Sequence, residues 1–397
     1  MVDLFGDKPE GLSYDDEFED DDLGYNPDFD SNIDLSEAEE FQAPRLMSFC
    51  EGFEEIEKSL LAQFKAERLH HGLIFSGPKG IGKATFAYRL TRFLLKYGAL
   101  APNETDMFGA APEIPDNFDV SREDRVFSQV ASGGHVDLYT VERAYDEDKG
   151  KYAAGVAVGD IRKVVPFLHL TSSYGGWRIV IIDDADTMNR NAQNALLKIL
   201  EEPPEKTLLI LVTHRLGALI PTIRSRTQLL NFATPSRAIF EKLMSKYDPH
   251  ISPNDVDTLH ALSHGSFGDA VAIKEEQGLE TLQQILKLFA HAPNFNWEDV
   301  HKLSAQFGKG SAASNEYKHF TELMVWIYTQ IITAKARGRS IDVNALRIAS
   351  IDEMMRYSSL EKLIETCDNL KRLFLEVERA NLDKKQAVLR AFSIIAA

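Results

Sequence analysis

Cysteine is nearly missing from this 397-residue chain, which has only Cys50 and Cys367, far apart in sequence. Two thiols exclude a disulfide framework and a four-cysteine metal site. They also make a reducing compartment, the cytoplasm, the expected location. No apolar run reaches the ~18–20 residues that a membrane helix requires. The opening residues hold neither a basic nor an apolar stretch, so no secretory signal is expected there. Bases are scarce at the same end: residues 1–43 carry 16 acidic residues and one base, Lys8. That segment holds -15 of the total formal charge of -17, and beyond it 43 bases nearly balance 45 acids. The acidity therefore describes the tail and not the body. Because bases and acids are interspersed in the body, no basic stripe marks a nucleic-acid site of its own.

The tail has few β-branched residues and no sustained period, so disorder is expected over 1–43. It reads either as a solubilising segment or as an arm for a basic surface, anchored by aromatics such as Phe5, Phe18 and Tyr25. The composition is otherwise ordinary for a folded protein, with 44% hydrophobic and 26% charged residues over the whole chain, and the length suits several domains. Phe53, Ile56, Leu60, Leu61 and Phe64 recur at helical spacing and predict a helix over 52–67. A buried strand is expected at 72–76, then a glycine-rich turn and a helix from about 83 to 95. Residues 98–159 read as a surface excursion. Helices near 159–171 and 189–201 flank a strand at 178–182, and a further strand is expected at 208–212. Strands alternating with helices mean a parallel α/β sheet. From 236 onward only helical periods remain. The stripes Phe320, Leu323, Met324, Ile327, Tyr328, Ile331 and Leu360, Leu363, Ile364, Leu370, Leu373, Phe374, Val377 are expected in a core.

Three motifs carry chemistry. Gly77-Pro78-Lys79-Gly80-Ile81-Gly82-Lys83-Ala84-Thr85 joins a strand to a helix, the context of a phosphate loop. Glycines let backbone N–H groups converge on phosphate oxygens, and Lys83 meets the phosphate charge at a helix N-terminus. Where the pattern wants a hydroxyl for Mg²⁺ stands Ala84. Thr85 is ~100° further round the helix and does not replace it. The second motif is the strand ending in Asp183-Asp184-Ala185-Asp186. A carboxylate at a central strand tip beside such a loop holds Mg²⁺, and the next acid polarises water. Asp184 is a methylene shorter than Glu, which sets a base ~1 Å short, and such misplacement can cost ~10²-fold. The plainer alternatives are a glycine turn with no ligand and acids that merely cap the next helix. The third is Pro221-Thr222-Ile223-Arg224-Ser225-Arg226-Thr227, a polar turn whose arginines either reach outward or form surface ion pairs.

With these motifs in place the chain, over roughly 44–397, resembles the clamp-loader proteins of the AAA+ class, in particular the delta-prime type of bacterial DNA polymerase III. Asn194-Ala195-Leu196-Leu197-Lys198-Ile199-Leu200-Glu201-Glu202-Pro203-Pro204 is the most specific run. Gly176-Trp177-Arg178 and the Pro221–Arg226 turn add to it. The resemblance implies an α/β fold: a RecA-like AAA+ parallel-sheet domain over 44–233, a small helical lid over 234–285 and an all-α collar over 286–397. It implies a heteropentameric ring with tau/gamma and delta subunits that loads a sliding clamp on primer-template DNA, as part of a DNA-directed DNA polymerase (nucleotidyltransferase) holoenzyme. Ser225-Arg226-Thr227 sits where the family has Ser-Arg-Cys, which makes Arg226 an arginine finger for a neighbouring subunit. Thr213 falls at the polar sensor 1 position. Gly265-Ser266-Phe267-Gly268 resembles the sensor 2 stretch, with Gly268 where active subunits carry arginine.

Ala84, Asp184 and Gly268 thus weaken catalysis in three separate segments. The expected pocket, lined by Gly77, Gly80, Gly82, Lys83, Ala84, Thr85, Asp183, Asp184, Thr213 and Gly268, holds ATP or ADP without efficient hydrolysis, if it holds either. Many relatives carry a zinc-binding cysteine cluster, but 122–138 has no cysteine, so no zinc is expected. Two other classes stay open: a self-sufficient ATPase motor of the tau/gamma type, and a nucleotide-independent scaffold of another complex.

Overall fold

The computed structural model of the chain describes residues 43–99, 114–146, 151–173, 175–307, 311–380 and 382–396. The acidic tail up to residue 42 lies outside them. In chain order the strands are β1 (Gly72–Ser76), β2 (Leu138–Val141), β3 (Tyr145–Asp146), β4 (Lys151–Tyr152), β5 (Arg178–Ile182), β6 (Thr207–Thr213) and β7 (Gln228–Asn231). Five of them form one sheet in the order β2-β5-β6-β1-β7, and every neighbouring pair is parallel. The short β3 and β4 pair antiparallel as a separate hairpin.

The three apolar runs of the sequence occupy the middle of the sheet because a parallel sheet is covered on both faces. All five residues of β5 and all seven of β6 are buried. One face packs Leu73, Phe75, Ile179, Ile181, Leu208 and Ile210 under α1 (Glu54–Lys65) and α2 (Lys83–Tyr97). The other packs Ile74, Val180, Ile182, Leu209 and Leu211 with α4 (Val158–His169), α5 (Arg190–Ala195) and α6 (Leu197–Glu201). The helix expected over 189–201 is therefore two pieces, broken at Leu196. Within the segment read as a surface excursion lie α3 (Arg125–Ala131), β2 and the hairpin. Both edge strands, β2 and β7, are half-exposed, with burial alternating along β7. After β6 comes a single helical turn, α7 (Pro221–Arg224), which leads into β7.

Beyond β7 the described chain is helical. α8 (Arg237–Tyr247), α9 (Pro253–Leu262) and α10 (Phe267–Glu275) enclose Phe240, Met244, Leu259 and Ala270. Ser236, Ser252 and Ser266 cap their three N-termini through the side-chain oxygen. α11 (Gly278–Phe289) starts in this small core with Leu279, and from Leu282 on it turns its apolar face to the larger C-terminal one. That larger core also takes α12 (Trp297–Gln306), α13 (Ser311–Arg337), α14 (Ala349–Tyr357), α15 (Leu360–Ala380) and α16 (Lys384–Ala396). The six stripe residues of α13 are all buried there. On α15 the stripe is buried from Leu363 to Val377, but Ile364 stands 42% exposed. The described chain is thus a parallel-sheet α/β domain followed by a small helical unit and an all-α C-terminal unit. No described helix is long and apolar enough to cross a membrane.

Candidate functional site

A cavity of about 650 Å³ opens where β1 and β5 end, between the sheet and the small helical unit. Open parallel sheets bind ligands at this carboxyl edge. Its lining includes Gly80, Gly82, Lys83, Ala84, Thr85, Asp183, Asp184 and Gly268, so eight of the ten residues expected from sequence meet here. Gly77 and Thr213 do not line it. Gly77 serves packing: a Cβ there would sit 2.2 Å from the Phe232 carbonyl oxygen. Thr213 is fully buried and donates to Asp186 at 3.3 Å. At the end of β6 the cavity is lined instead by Val212 and His214, the residues on either side of Thr213. Asp186 holds that turn by accepting from the His214 N–H at 3.0 Å.

The charges of the site are spent on one another. Lys83, only 3% exposed, donates to the Gly77 carbonyl at 2.8 Å, to the Pro78 carbonyl, and to His214 Nδ1 at 2.9 Å. An ammonium has three protons, so all of them are committed within the chain. Burial lowers the Lys83 amine to about 8 against the pull of Asp183, Asp186 and Asp184. His214 continues the chain of contacts: its Nε2 meets Asp184 Oδ1 at 2.8 Å. An imidazole with its proton on Nε2 satisfies both partners. The other oxygen of Asp184 accepts from Arg143 Nε at 2.6 Å. Arg143 comes from the loop after β2, and its guanidinium also lies 5.4 Å from the centre of the Tyr152 ring. The His214 hydrogen bond, with Arg143 beside it, holds the Asp184 carboxyl down at about 2, against its partial burial. Asp184 sits in the left-handed region (φ 49°, ψ 38°), which Asp tolerates better than most residues. Next to it, burial pushes Asp183 up to about 6, although its Oδ1 accepts from the Asp184 N–H at 2.9 Å.

The small helical unit rests directly on the glycine loop. Ser266 Oγ donates to the Lys79 carbonyl at 2.9 Å, and the Gly268 N–H donates to the Gly80 carbonyl at 2.8 Å. At Gly268 a Cβ would lie 3.0 Å from that oxygen and 3.1 Å from Gly80 Cα. Glycine therefore eases the close approach, since any Cβ there needs the lid or the loop to give by a few tenths of an ångström. The cavity is also walled by Met47, Phe49 and Cys50 and by Leu243, Phe267 and Val271. The segment 45–50 ahead of α1 is held by two arginines of α2, Arg92 and Arg89, the latter donating to the Cys50 carbonyl at 3.4 Å. Arg92, 1% exposed, donates to the Arg45 carbonyl at 2.9 Å and to the Met47 carbonyl. Arg89 bridges Glu57 at 3.1 Å and Asp119 at 2.5 Å.

These partners decide what the site can hold. Glycines, a helix start and Lys83 suit an anionic phosphate. Mg²⁺-assisted hydrolysis is poorly served: residue 84 has no hydroxyl, and Asp184 has one oxygen ion-paired with Arg143 and the other hydrogen-bonded by His214. Among the described residues, Asp183, Asp184 and His214 are the one group of three side chains close enough to share a metal ion.

Arg226 stands apart. It follows α7 by two residues and does not line the cavity. Its side chain is 37% exposed, and Nη2 meets Glu201 Oε1 at 2.9 Å. Sequence reasoning missed Arg143 and His214. Nothing in the spacing of Arg143 ties it to the site, and His214 lies one position from the Thr213 that the sequence singled out.

A five-stranded parallel sheet, a glycine loop between β1 and α2, an acidic β5 tip and a helical lid on the loop define a P-loop protein of the AAA+ type. Residues 52–236 match the family described as DNA polymerase III, delta subunit. The chain is 29% identical to the DNA polymerase III subunit delta' of Pseudomonas aeruginosa, over 58% of this chain and 66% of that one. It is 28% identical to the Escherichia coli subunit of the same name, over 82% and 89%. The DNA polymerase III subunit tau of Escherichia coli matches at 24% over 59% of this chain and 33% of its own length. Over these stretches the chain is similar to the delta' subunits of DNA polymerase III and, at lower identity, to tau.

Proposed function

We propose that the chain is a non-hydrolysing stator of a clamp-loader ring, and that Arg226 completes the ATP site of a neighbouring gamma/tau subunit during the loading of a sliding clamp on primed DNA. The observation that carries this reading is the state of Asp184. Asp184, which would polarise water, is ion-paired with Arg143 and hydrogen-bonded by His214 of the same chain, so the pocket has little left for catalysis. A guanidinium outside that pocket, on an exposed turn, remains for use by another subunit. Its permanent charge and planar donor fork suit a phosphoryl group carrying developing charge. Lys83 and the glycine loop are compatible with bound ATP or ADP in the chain's own cavity, without turnover.

The test is reconstitution of the ring with Arg226→Ala. Steady-state ATP turnover should fall by ~10³ or more at the site that Arg226 serves, while the isolated variant keeps its thermal unfolding curve. Unchanged turnover in the assembled ring rejects the finger role. Turnover by the isolated wild-type chain rejects the non-hydrolysing one.

A further inference from the structure

We infer that Glu201 is a positioning residue for Arg226, holding its guanidinium ready for the neighbour's phosphate; this rests on the finger reading above. Two elements grip the side chain. From α6, Glu201 Oε1 meets Nη2 at 2.9 Å. From the α7 turn, the Thr222 carbonyl accepts from Nη1 at 3.2 Å and Ser225 Oγ accepts at 3.4 Å. The turn is closed by the Thr227 hydroxyl, which donates to the Ile223 carbonyl at 2.9 Å. Glu201 is the last residue of α6, just before Pro203 and Pro204, so its backbone position is set by a helix end.

These contacts occupy Nη1 and part of Nη2. Among the described contacts Nε has no partner, so on the Nε/Nη2 edge Nε stays available to an oxyanion, while Nη2, which has two protons, carries one contact, to Glu201. That edge is one of the two through which arginine binds phosphate with paired hydrogen bonds. An exposed arginine without such supports samples many rotamers, and each must be given up when the phosphate is bound. Support from two sides of the guanidinium reduces that loss before the neighbour arrives. The carboxylate therefore acts through Arg226 and touches no substrate itself.

The experiment uses the assembled ring with the full-length wild-type chain, Glu201→Gln, Arg226→Ala and the double variant, and reads kcat and KM for ATP. Glu201→Gln should lower kcat about five-fold, in line with an exposed ion pair, and leave KM unchanged. In the Arg226→Ala background the second change should add nothing, since the residue it positions is gone. A Glu201→Gln ring with normal or raised kcat, while Arg226→Ala is impaired, overturns the positioning role and leaves the finger standing. An equal five-fold loss in both backgrounds also overturns it, because the effect would then not pass through Arg226. If Arg226→Ala is itself silent, the finger reading fails and takes this one with it.

Discussion

Asp184→Asn tests whether the site is a closed set of ion pairs. The change keeps the size of the side chain and removes its charge, and Asn accepts the left-handed backbone found there (φ 49°, ψ 38°). The hydrogen bond to His214 and the charge of Arg143 hold the carboxyl at about 2, roughly two units under an ordinary aspartate. At about 1.4 kcal/mol per unit, the ionised form contributes about 2–3 kcal/mol to folding at neutral pH. Asn loses this and also turns an N–H toward one of two donors, His214 Nε2 or Arg143 Nε, so a loss of about 2–4 kcal/mol is expected. The sign with pH is set by linkage. The folded value lies below the unfolded one, so the contribution is whole above about pH 4 and is lost as pH falls through 2. At pH 3 about half remains. Urea unfolding followed by Trp177, with Trp297 and Trp326 replaced by Phe, reads the sheet domain, because Trp177 packs against its core. Asp184→Asn as stable as wild type at pH 7 would refute the argument, and so would a gap that widens on acidification.

Ala84→Ser alone should leave the isolated chain without measurable ATP turnover, because Asp184 stays salt-bridged and Gly268 stays against the loop; multiple turnovers would show that the missing hydroxyl was the whole defect. Gly268→Arg should break the bond from residue 268 N–H to the Gly80 carbonyl, since even a Cβ lies 3.0 Å from that oxygen; amide exchange over 263–270 should quicken several-fold, in line with a hydrogen bond of about 1 kcal/mol, and unchanged exchange would count against the docked lid. Burial pushes the Cys50 thiol up to about 12, although the residue lines the cavity; iodoacetamide at pH 8 should label it far more slowly than it labels the urea-unfolded chain, and equal rates would contradict the packing.

How far the sequence could be read depended on whether a residue's role was local. β1, β5 and β6 were legible because each is an apolar run buried on both faces. β2 and β7 were not, because an edge strand is half-exposed and its four residues carry no run or clean alternation. The break at Leu196 was invisible to helical periodicity, since both pieces keep one face on the same core. The glycine loop and the acidic strand tip announce themselves by spacing. Arg143 is 41 residues from Asp184 and reaches it only because β2 lies beside β5 in the sheet. Thr213 and His214 differ by one position, and in a strand adjacent side chains take opposite faces. The choice between them was therefore settled by register, which a single sequence does not state. Ile364 departs from the α15 stripe for a similar reason: the helical period marks an apolar face, and only packing says how wide a face is covered.

The docked lid and the self-paired charges bear on the proposed role together. A ligand shifts a conformational equilibrium only by its difference in affinity between two states. Here a phosphate entering the loop has to take Lys83 from three acceptors of its own chain. Opening the lid forfeits the Ser266 and Gly268 hydrogen bonds to loop carbonyls. Both costs set the closed arrangement as the resting one and reduce what a nucleotide gains by changing it. A subunit whose task is to present Arg226 to another active site benefits from this stiffness, because a shift of about 1 Å in a catalytic group can cost ~10²-fold in rate. Glycine at 268 then serves the same end: it seats the lid against the loop where a Cβ would have to push the Gly80 backbone back by a few tenths of an ångström.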